Sequence, residues 1–169
     1  MTEPRIYIAD LAAYNNGILH GIWVDATQDL DITQDDINAM LAASPEPNAE
    51  EYAIHDYDDF AGYRISEYES LQTVHEVALL IEEHGELGAK LLDYYAEIAD
   101  AQKAITEQYQ GVFASLEDYA RQFTESCGEV LPNLEYYIDY KRMGRDFEMS
   151  GDIIAFELAH DEVHIFSGY

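Results

Sequence analysis

The chain has 169 residues, and 48% of them are hydrophobic, which is enough to build a folded core. Its 35 Asp and Glu residues far outnumber its eight Lys and Arg residues, so the formal net charge is -27 at pH 7. This balance excludes direct nucleic-acid binding as the default function, because that binding depends on Lys and Arg, and it indicates a partner with a basic groove.

The sequence predicts a cytoplasmic protein. Cys127 is its only cysteine and cannot form an internal disulfide. The N-terminal segment MTEPRIYIAD has neither the basic start nor the apolar run of a secretion signal. No apolar run approaches the ~18 residues of a membrane-spanning helix, so we expect no membrane association.

The first elements are predicted to be strands. Residues 5–9 have β character, the motif YNNG at residues 14–17 is a turn signal, and residues 18–24 alternate between apolar and polar side chains. This pattern predicts an N-terminal hairpin or a three-stranded sheet.

A helix and another strand should follow. Asp31 or Thr33 can cap a helix whose apolar residues recur at intervals of three and four. The helix should end near residues 44–47, where two prolines prevent its continuation. Residues 51–57 are predicted to form a further strand.

The middle of the chain is predicted to be helical. Apolar residues share one helical face from Ser70 onwards, and His84-Gly85 should end this helix. Residues 87–95 and 98–105 continue the helical spacing. A glycine-containing segment at residues 110–113 follows without a predicted type.

The C-terminal part is predicted to combine helices with a hairpin. Ser115 begins a variant of the capping box, and its helix should end at Cys127-Gly128. Residues 134–149 are predicted to form one helix. Residues 152–158 and 163–166 then alternate as two strands around a turn at residues 159–162.

These elements predict an α+β fold made of three small lobes. Residues 1–62 would form a sheet-rich acidic lobe, residues 63–106 a helical lobe, and residues 107–169 a mixed lobe.

The negative charge is densest in the N-terminal half. Residues 1–89 hold 19 acids against Arg5 and Arg64, with no Lys or Arg between these two. Any single carboxylate is more often just part of a solvated surface. The total negative charge, however, is on the scale of the phosphate charge of a DNA site that a protein covers. The carboxylates predicted to contact a partner are Asp25, Asp29, Asp31, Asp35, Asp36, Glu46, Glu50, Glu51, Asp56, Asp58, Asp59, Glu67, Glu69, Glu82, Glu83, Glu86, Asp93 and Glu97.

Helical spacing should place some of these carboxylates side by side. The pairs Asp31 with Asp35, Glu82 with Glu86 and Asp93 with Glu97 are each four residues apart. Neighbours on a helix face lie about 5 to 6 Å apart, which is comparable to the spacing of phosphates. Like charges at this spacing destabilise a helix, which favours a functional reason for them.

Three segments resemble the ArdA family of antirestriction proteins. They are PRIYIADLAAYNNGILHGIWVDA near the N-terminus, the acidic IHDYDDF, and EYYIDYKRMGRDFEMSGDIIAFE near the C-terminus. The motifs YNNG at residues 14–17 and GIWVDA at residues 21–26 stand in the family's order. Length, acidity and the order of the lobes agree over most of the chain.

The resemblance implies a protein without catalytic activity that imitates the phosphates of bent B-form DNA. It implies competition with DNA for the groove formed by the methyltransferase core and the specificity subunit of Type I restriction-modification enzymes. It also implies an elongated, curved homodimer joined through the C-terminal lobes, where Tyr136, Tyr137, Ile138 and Tyr140 are the candidate interface residues.

Catalytic and metal sites are not predicted. His160 and His164 are four residues apart, but Asp161 stands where a zinc protease needs glutamate, and the segment has strand character. The segment beginning at Asp29 lacks the glycine and the glutamate of a calcium loop. We therefore predict no metal and no cofactor.

Two alternatives to DNA mimicry also account for the charge. An ordinary cytoplasmic protein adapted to high salt would carry surface acids for solubility. An acidic adaptor could instead sequester a different basic DNA-binding protein. Salt dependence and competition experiments separate these alternatives from DNA mimicry.

Overall fold

The computed structural model describes residues 3–168, and the chain divides into two compact units, Met1–Ile98 and Ala99–Tyr169. Each unit combines helices with a three-stranded antiparallel sheet. The predicted α+β class is confirmed. The division into three lobes stays a prediction.

The sheet of the N-terminal unit consists of β1 (Arg5–Asp10), β2 (Gly21–Asp25) and β3 (Tyr52–Asp58) in the order β2-β1-β3. Both pairings are antiparallel. Ile6 and Ile8 are buried on one side of β1, whereas Arg5 on the other side is exposed. This alternation is the pattern of a sheet with one face towards the core and one towards solvent. The predicted three-stranded sheet is confirmed.

A short helix that the sequence analysis missed follows β1. Helix α1 (Leu11–Asn15) is capped by the carboxylate of Asp10, which accepts hydrogen bonds from the amides of Ala12 and Ala13. The predicted turn residues Asn16 and Gly17 end this helix, and both donate backbone hydrogen bonds into it. Strand β2 consequently begins at Gly21, three residues later than predicted.

The next helix, α2 (Leu30–Ala42), has its cap two residues before the first predicted cap. Asp29 occupies the cap position, and its carbonyl accepts the amide of Thr33. The predicted caps Asp31 and Thr33 were wrong, because both lie within the first turns of the helix. The predicted stop before Pro45 is confirmed.

Helix α3 (Leu71–Tyr94) is broken at Gly85, which has φ 57° and ψ -133°. A Cβ atom built at Gly88 would lie 2.7 Å from the carbonyl oxygen of Leu80. Residues eight apart in a continuous helix would be about 12 Å apart, so the chain turns sharply here. Ser70, from which the helical pattern was predicted to run, caps the start of α3 by accepting the amide of Thr73. The predicted helix end at His84-Gly85 is confirmed as this break.

In the C-terminal unit three strands form a sheet in which the last strand of the chain lies in the middle, with both pairings antiparallel. The predicted hairpin and the cap at Ser115 are confirmed, and the segment at residues 110–113 proves to be a strand. In chain order this part comprises α4 (Ile98–Lys103), a π-helical turn (Ala104–Gln108), β4 (Tyr109–Phe113), α5 (Leu116–Cys127), α6 (Pro132–Glu135), α7 (Tyr140–Ser150), β5 (Ile153–Ala159) and β6 (Glu162–Ser167).

The single helix predicted over residues 134–149 was wrong. The chain forms α6 and α7 instead, and the side chain of Asp139 caps α7 by accepting the amide of Arg142. The apolar core under the sheet contains Ile153, Val163 and Ile165. The cap at Asp139 therefore begins a new helix inside the predicted one, although side-chain spacing alone predicts a single helix.

Within residues 3–168, no helix combines the length and the apolar character needed to cross a bilayer.

Candidate partner-binding surface

The predicted partner-contacting carboxylates lie at the surface. Sixteen of the 18 are exposed, and only Glu46 and Glu69 are half-buried. Most stand on strands, helices or hydrogen-bonded turns of the N-terminal unit. The backbone therefore fixes the positions of these side chains, and most of their carboxylates lie in solvent, where a partner can contact them.

Helix α2 carries the one predicted pair that survives as a pair on a single helix. Asp31 and Asp35 both lie within α2 and are exposed. Asp36, which follows, accepts a hydrogen bond of 3.1 Å from the amide of Gln28. Like charges one turn apart destabilise the helix, and no Lys or Arg of residues 3–168 lies within 4.0 Å to offset them.

The other two predicted pairs are not neighbours on one helix face. Glu82 and Glu86 lie on opposite sides of the break at Gly85, so helical spacing does not relate them. Asp93 is in the last turn of α3, whereas Glu97 lies beyond its end and before α4. The predicted pairing was wrong in both places because a glycine and a helix end interrupt the spacing.

Two of the predicted carboxylates are neutralised by the chain itself. Asp58 accepts a hydrogen bond of 2.8 Å from the guanidinium of Arg5, and Glu86 lies 3.7 Å from the ammonium of Lys90. The bond from Arg5 lowers the pKa of Asp58, and the same bond raises the pKa of Arg5. Glu67 stands 3.7 Å from His55, which is a charged pair only when the histidine is protonated.

The solvent-facing side of the N-terminal sheet carries aromatic rings between its acids. Arg5 stands opposite Asp25 on β2 and opposite Asp58 on β3, while Tyr7 stands opposite Trp23 and Asp56. We call this surface the outer sheet face, and its residues are Arg5, Tyr7, Trp23, Asp25, Asp56 and Asp58. The guanidinium of Arg5 lies 5.0 Å from the centre of the Trp23 ring, which is a cation–π distance.

Asp10 is a buried carboxylate that the sequence analysis did not single out. Its side chain has no exposed surface, caps α1, and accepts the hydroxyl of Ser44. Burial works to raise the pKa of Asp10, but the bonds from Ser44, Ala13 and Ala12 outweigh it and hold the pKa below its ordinary value. The sequence did carry a signal for this role, because aspartate is among the preferred residues at the N-cap of a helix.

The predicted dimer residues differ in accessibility. Tyr136 and Tyr137 are 89% and 80% exposed, and their rings contact each other edge to face. Ile138 is half-buried. Tyr140 is 5% exposed and lies under the guanidinium of Arg121 at 4.5 Å, so it offers little surface to a second chain.

The histidines weighed for metal binding have other contacts. His164 accepts or donates a hydrogen bond of 2.8 Å with the phenol of Tyr109, and its other ring nitrogen lies 3.3 Å from Glu162. His160 stands exposed in the hairpin turn beside Asp161. Among residues 3–168, no three His, Cys, Asp or Glu side chains are grouped so as to hold a metal ion.

Comparison with known families identifies the chain. The sequence model described as "Antirestriction protein (ArdA)" matches residues 6–162, which is nearly the whole chain. The chain belongs to the ArdA family. The resemblance in the three sequence segments is thereby confirmed, and no curated protein matches the chain. ArdA membership implies an antirestriction role and an interaction with restriction-modification enzymes, as an inhibitor rather than an enzyme.

Proposed function

We propose that this ArdA-family protein inhibits Type I restriction-modification enzymes by imitating DNA. Its carboxylates occupy the positions of phosphates in the groove formed by the methyltransferase core and the specificity subunit. DNA is excluded from the groove, so restriction is inhibited without any catalytic step. The protein acts in the cytoplasm and binds no nucleic acid itself.

The exposure of the carboxylates on a folded framework supports this proposal most strongly. Disordered acids would lose conformational freedom on docking, and that loss would weaken the complex. Here the charges stand on the strands of a sheet, on α2 and on α3, whose first turn is capped by Ser70. The framework therefore lowers the entropic cost of presenting many charges together.

Within the part of the chain that the structure describes, most of the predicted carboxylates have no Lys or Arg beside them, so their negative charge is not neutralised there. Apart from Asp58 and Glu86, none of the predicted carboxylates lies within 4.0 Å of a Lys or Arg among residues 3–168. A basic groove supplies those cations. Because the attraction is spread over many groups, it depends steeply on salt and little on any single group.

The proposed active form is a homodimer joined through the C-terminal region. Tyr136 and Tyr137 support this choice, since large exposed aromatic rings are enriched in protein interfaces. Doubling the chain also doubles the charge offered to the groove. Tyr140 is nearly buried under Arg121, so the proposed contact depends on its exposed neighbours.

The proposal is tested by competition. The purified protein is titrated into a Type I enzyme, a Type II enzyme and an unrelated basic DNA-binding protein, and DNA cleavage, methylation and binding are measured at several salt concentrations. We expect inhibition of the Type I enzyme that weakens steeply with rising salt. Equal inhibition of the unrelated protein would favour the acidic adaptor, and inhibition unchanged in molar salt would contradict DNA mimicry.

Variants separate the proposed surface from net charge. One variant neutralises acids of the N-terminal unit, and its control neutralises the same number in the C-terminal unit. We expect the first to weaken inhibition about tenfold or more, the control to weaken it less than about threefold, and any single Asp→Asn less than about twofold. Equal losses in the two sets would mean that only total charge matters. The first set is Asp31, Asp35, Asp36, Glu50 and Glu51, and the control set is Asp100, Glu107, Glu125, Glu129 and Glu148.

A further inference from the structure

We propose that the outer sheet face is a guanidinium-binding site that Arg5 occupies in the free protein. An arginine side chain of the cationic partner displaces Arg5 and takes its place between the Trp23 ring and the carboxylates. The identity of the partner rests on the proposed function, whereas the chemistry of the site rests on the contacts of Arg5 alone.

The contacts of Arg5 show which ligand the face suits. One terminal nitrogen lies 2.8 Å from a carboxylate oxygen of Asp58, while the planar group stands 5.0 Å from the centre of the Trp23 ring. A carboxylate together with an aromatic face is the combination that binds guanidinium groups, and it suits a compact ammonium less well. The guanidinium of Arg5 is therefore a direct example of the ligand class.

Phosphate mimicry does not account for the aromatic rings of this face. Trp23 is 44% exposed and lies on the side of the sheet away from buried Ile6 and Ile8. The Tyr7 ring contacts Trp23 at 5.6 Å and lies across Gly21, where an added Cβ would come within 2.8 Å of the phenol. The two rings therefore contact each other at the surface, where a planar cation can reach the exposed Trp23 ring.

The outer sheet face also has more carboxylates than its own cation can neutralise. Asp25 and Asp56 are exposed, and no Lys or Arg of the described chain lies within 4.0 Å of either. The Arg5–Asp58 pair is solvent-exposed, and exposed ion pairs and cation–π contacts are weak. Asp25 accepts hydrogen bonds from Thr27, and Asp56 accepts the amide of Tyr57. An incoming arginine can therefore displace Arg5 at little cost and still meet carboxylates that have no cation partner.

The test compares three variants with a short probe peptide. Arg5→Gln removes the internal competitor, and Arg64→Gln is the matched control that removes the same charge from an exposed position of the N-terminal unit. Arg5→Lys keeps the net charge but fits the ring less well. Tetra-arginine and tetra-lysine peptides are titrated in, and binding is followed by tryptophan fluorescence, which reports on Trp23 because it is the only tryptophan.

We expect Arg5→Gln to bind tetra-arginine about three- to tenfold more tightly than the unmodified protein, and Arg64→Gln to change affinity less than about twofold. The affinity of Arg5→Lys for tetra-arginine should lie between that of the unmodified protein and that of Arg5→Gln. The increase in affinity caused by each substitution should be smaller for tetra-lysine than for tetra-arginine.

Three results would overturn the proposed site. They are equal affinities for Arg5→Gln and Arg64→Gln, equal responses to the two peptides, and an unchanged Trp23 fluorescence in the unmodified protein at saturating tetra-arginine. The last measurement needs no variant, so the proposal stays testable even where a substitution prevents folding. No restriction enzyme is present, so failure here leaves the proposed function standing, and failure to inhibit the enzyme leaves the site standing.

Discussion

At the scale of single residues, the same side chain has opposite roles in the two environments of this protein. Asp10 is buried, accepts three hydrogen bonds and stabilises the fold. Asp29 occupies the corresponding cap position of α2, but it is exposed and makes no capping hydrogen bond. Most of the acids resemble Asp29, so their charge is available to a partner instead of being used inside the fold.

This contrast predicts the cost of removing each carboxylate. Asp10→Ala removes a helix cap and leaves the Ser44 hydroxyl without its acceptor, so we expect a loss of about 1–3 kcal/mol in the free energy of unfolding. Asp29→Ala is the matched control and should change it by less than about 0.5 kcal/mol. Denaturant unfolding followed by circular dichroism measures both, and equal losses would contradict the role assigned to Asp10.

The contribution of Asp10 to the stability of the protein should change with pH in one direction. The folded-state pKa of Asp10 is lowered, so its stabilisation is complete above the ordinary carboxyl pKa of about 4 and is lost as the pH falls through the lower folded value. The difference in stability between the unmodified protein and Asp10→Ala should therefore be larger at neutral pH than in strong acid. A difference that stays constant over this range would show that the carboxylate charge is not involved.

At the scale of elements, glycines decide how closely neighbouring segments approach. Gly144 of α7 is buried against the start of α5, where an added Cβ would lie 2.4 Å from the carbonyl oxygen of Leu116. Gly88 has the same role towards Leu80 beyond the break in α3. Both contacts are with backbone atoms, which cannot move aside as the end of a flexible side chain can.

The packing of α7 on α5 gives a prediction for Gly144→Ala. Alanine favours a helix over glycine by about 1 kcal/mol, but the clash with the Leu116 backbone should outweigh this gain. We expect a net destabilisation of about 1–3 kcal/mol, measured by thermal or denaturant unfolding. Glu148→Ala, at an exposed position of the same helix, serves as the control. A stabilised Gly144→Ala protein would mean that the two helices separate easily.

At the scale of the whole molecule, the exposed aromatic rings of the C-terminal unit are the candidates for the proposed dimer contact. The C-terminal unit holds Tyr136 and Tyr137 almost fully in solvent, near the exposed apolar residues Leu131 and Leu134 along the chain. Two acidic chains repel each other. Burying these apolar side chains between them would offset part of that repulsion, because the free energy gained by removing apolar surface from water does not depend on charge.

We predict that Tyr136→Arg and Tyr137→Arg, singly or combined, shift a dimer towards monomer. Tyr68→Arg, which changes an exposed tyrosine of the N-terminal unit, is the control and should leave the association unchanged. Analytical ultracentrifugation at several protein concentrations measures the distribution. Identical sedimentation of all the variants would rule out the proposed C-terminal interface.

Sequence alone determined the features that depend on neighbouring residues or on composition. The charge, the α+β class and the antirestriction family were all recognisable, and the cap at Ser115 and the start of the helical pattern at Ser70 were located correctly. These signals succeed because a cap or an alternating strand acts over a few residues. Spacing failed where it was applied across a helix end, as for Glu82 and Glu86, which lie on opposite sides of the predicted break at Gly85.

Only the tertiary structure decided which charges remain available. Arg5 meets Asp58 across 53 positions of sequence because strand register places them opposite each other, and Ser44 reaches Asp10 across 34 positions. The burial of Tyr140 under Arg121 likewise depends on how α5 packs against α7. An acid's role is set by the groups within a few ångströms of it, and the folded chain, not the sequence order, brings those groups together.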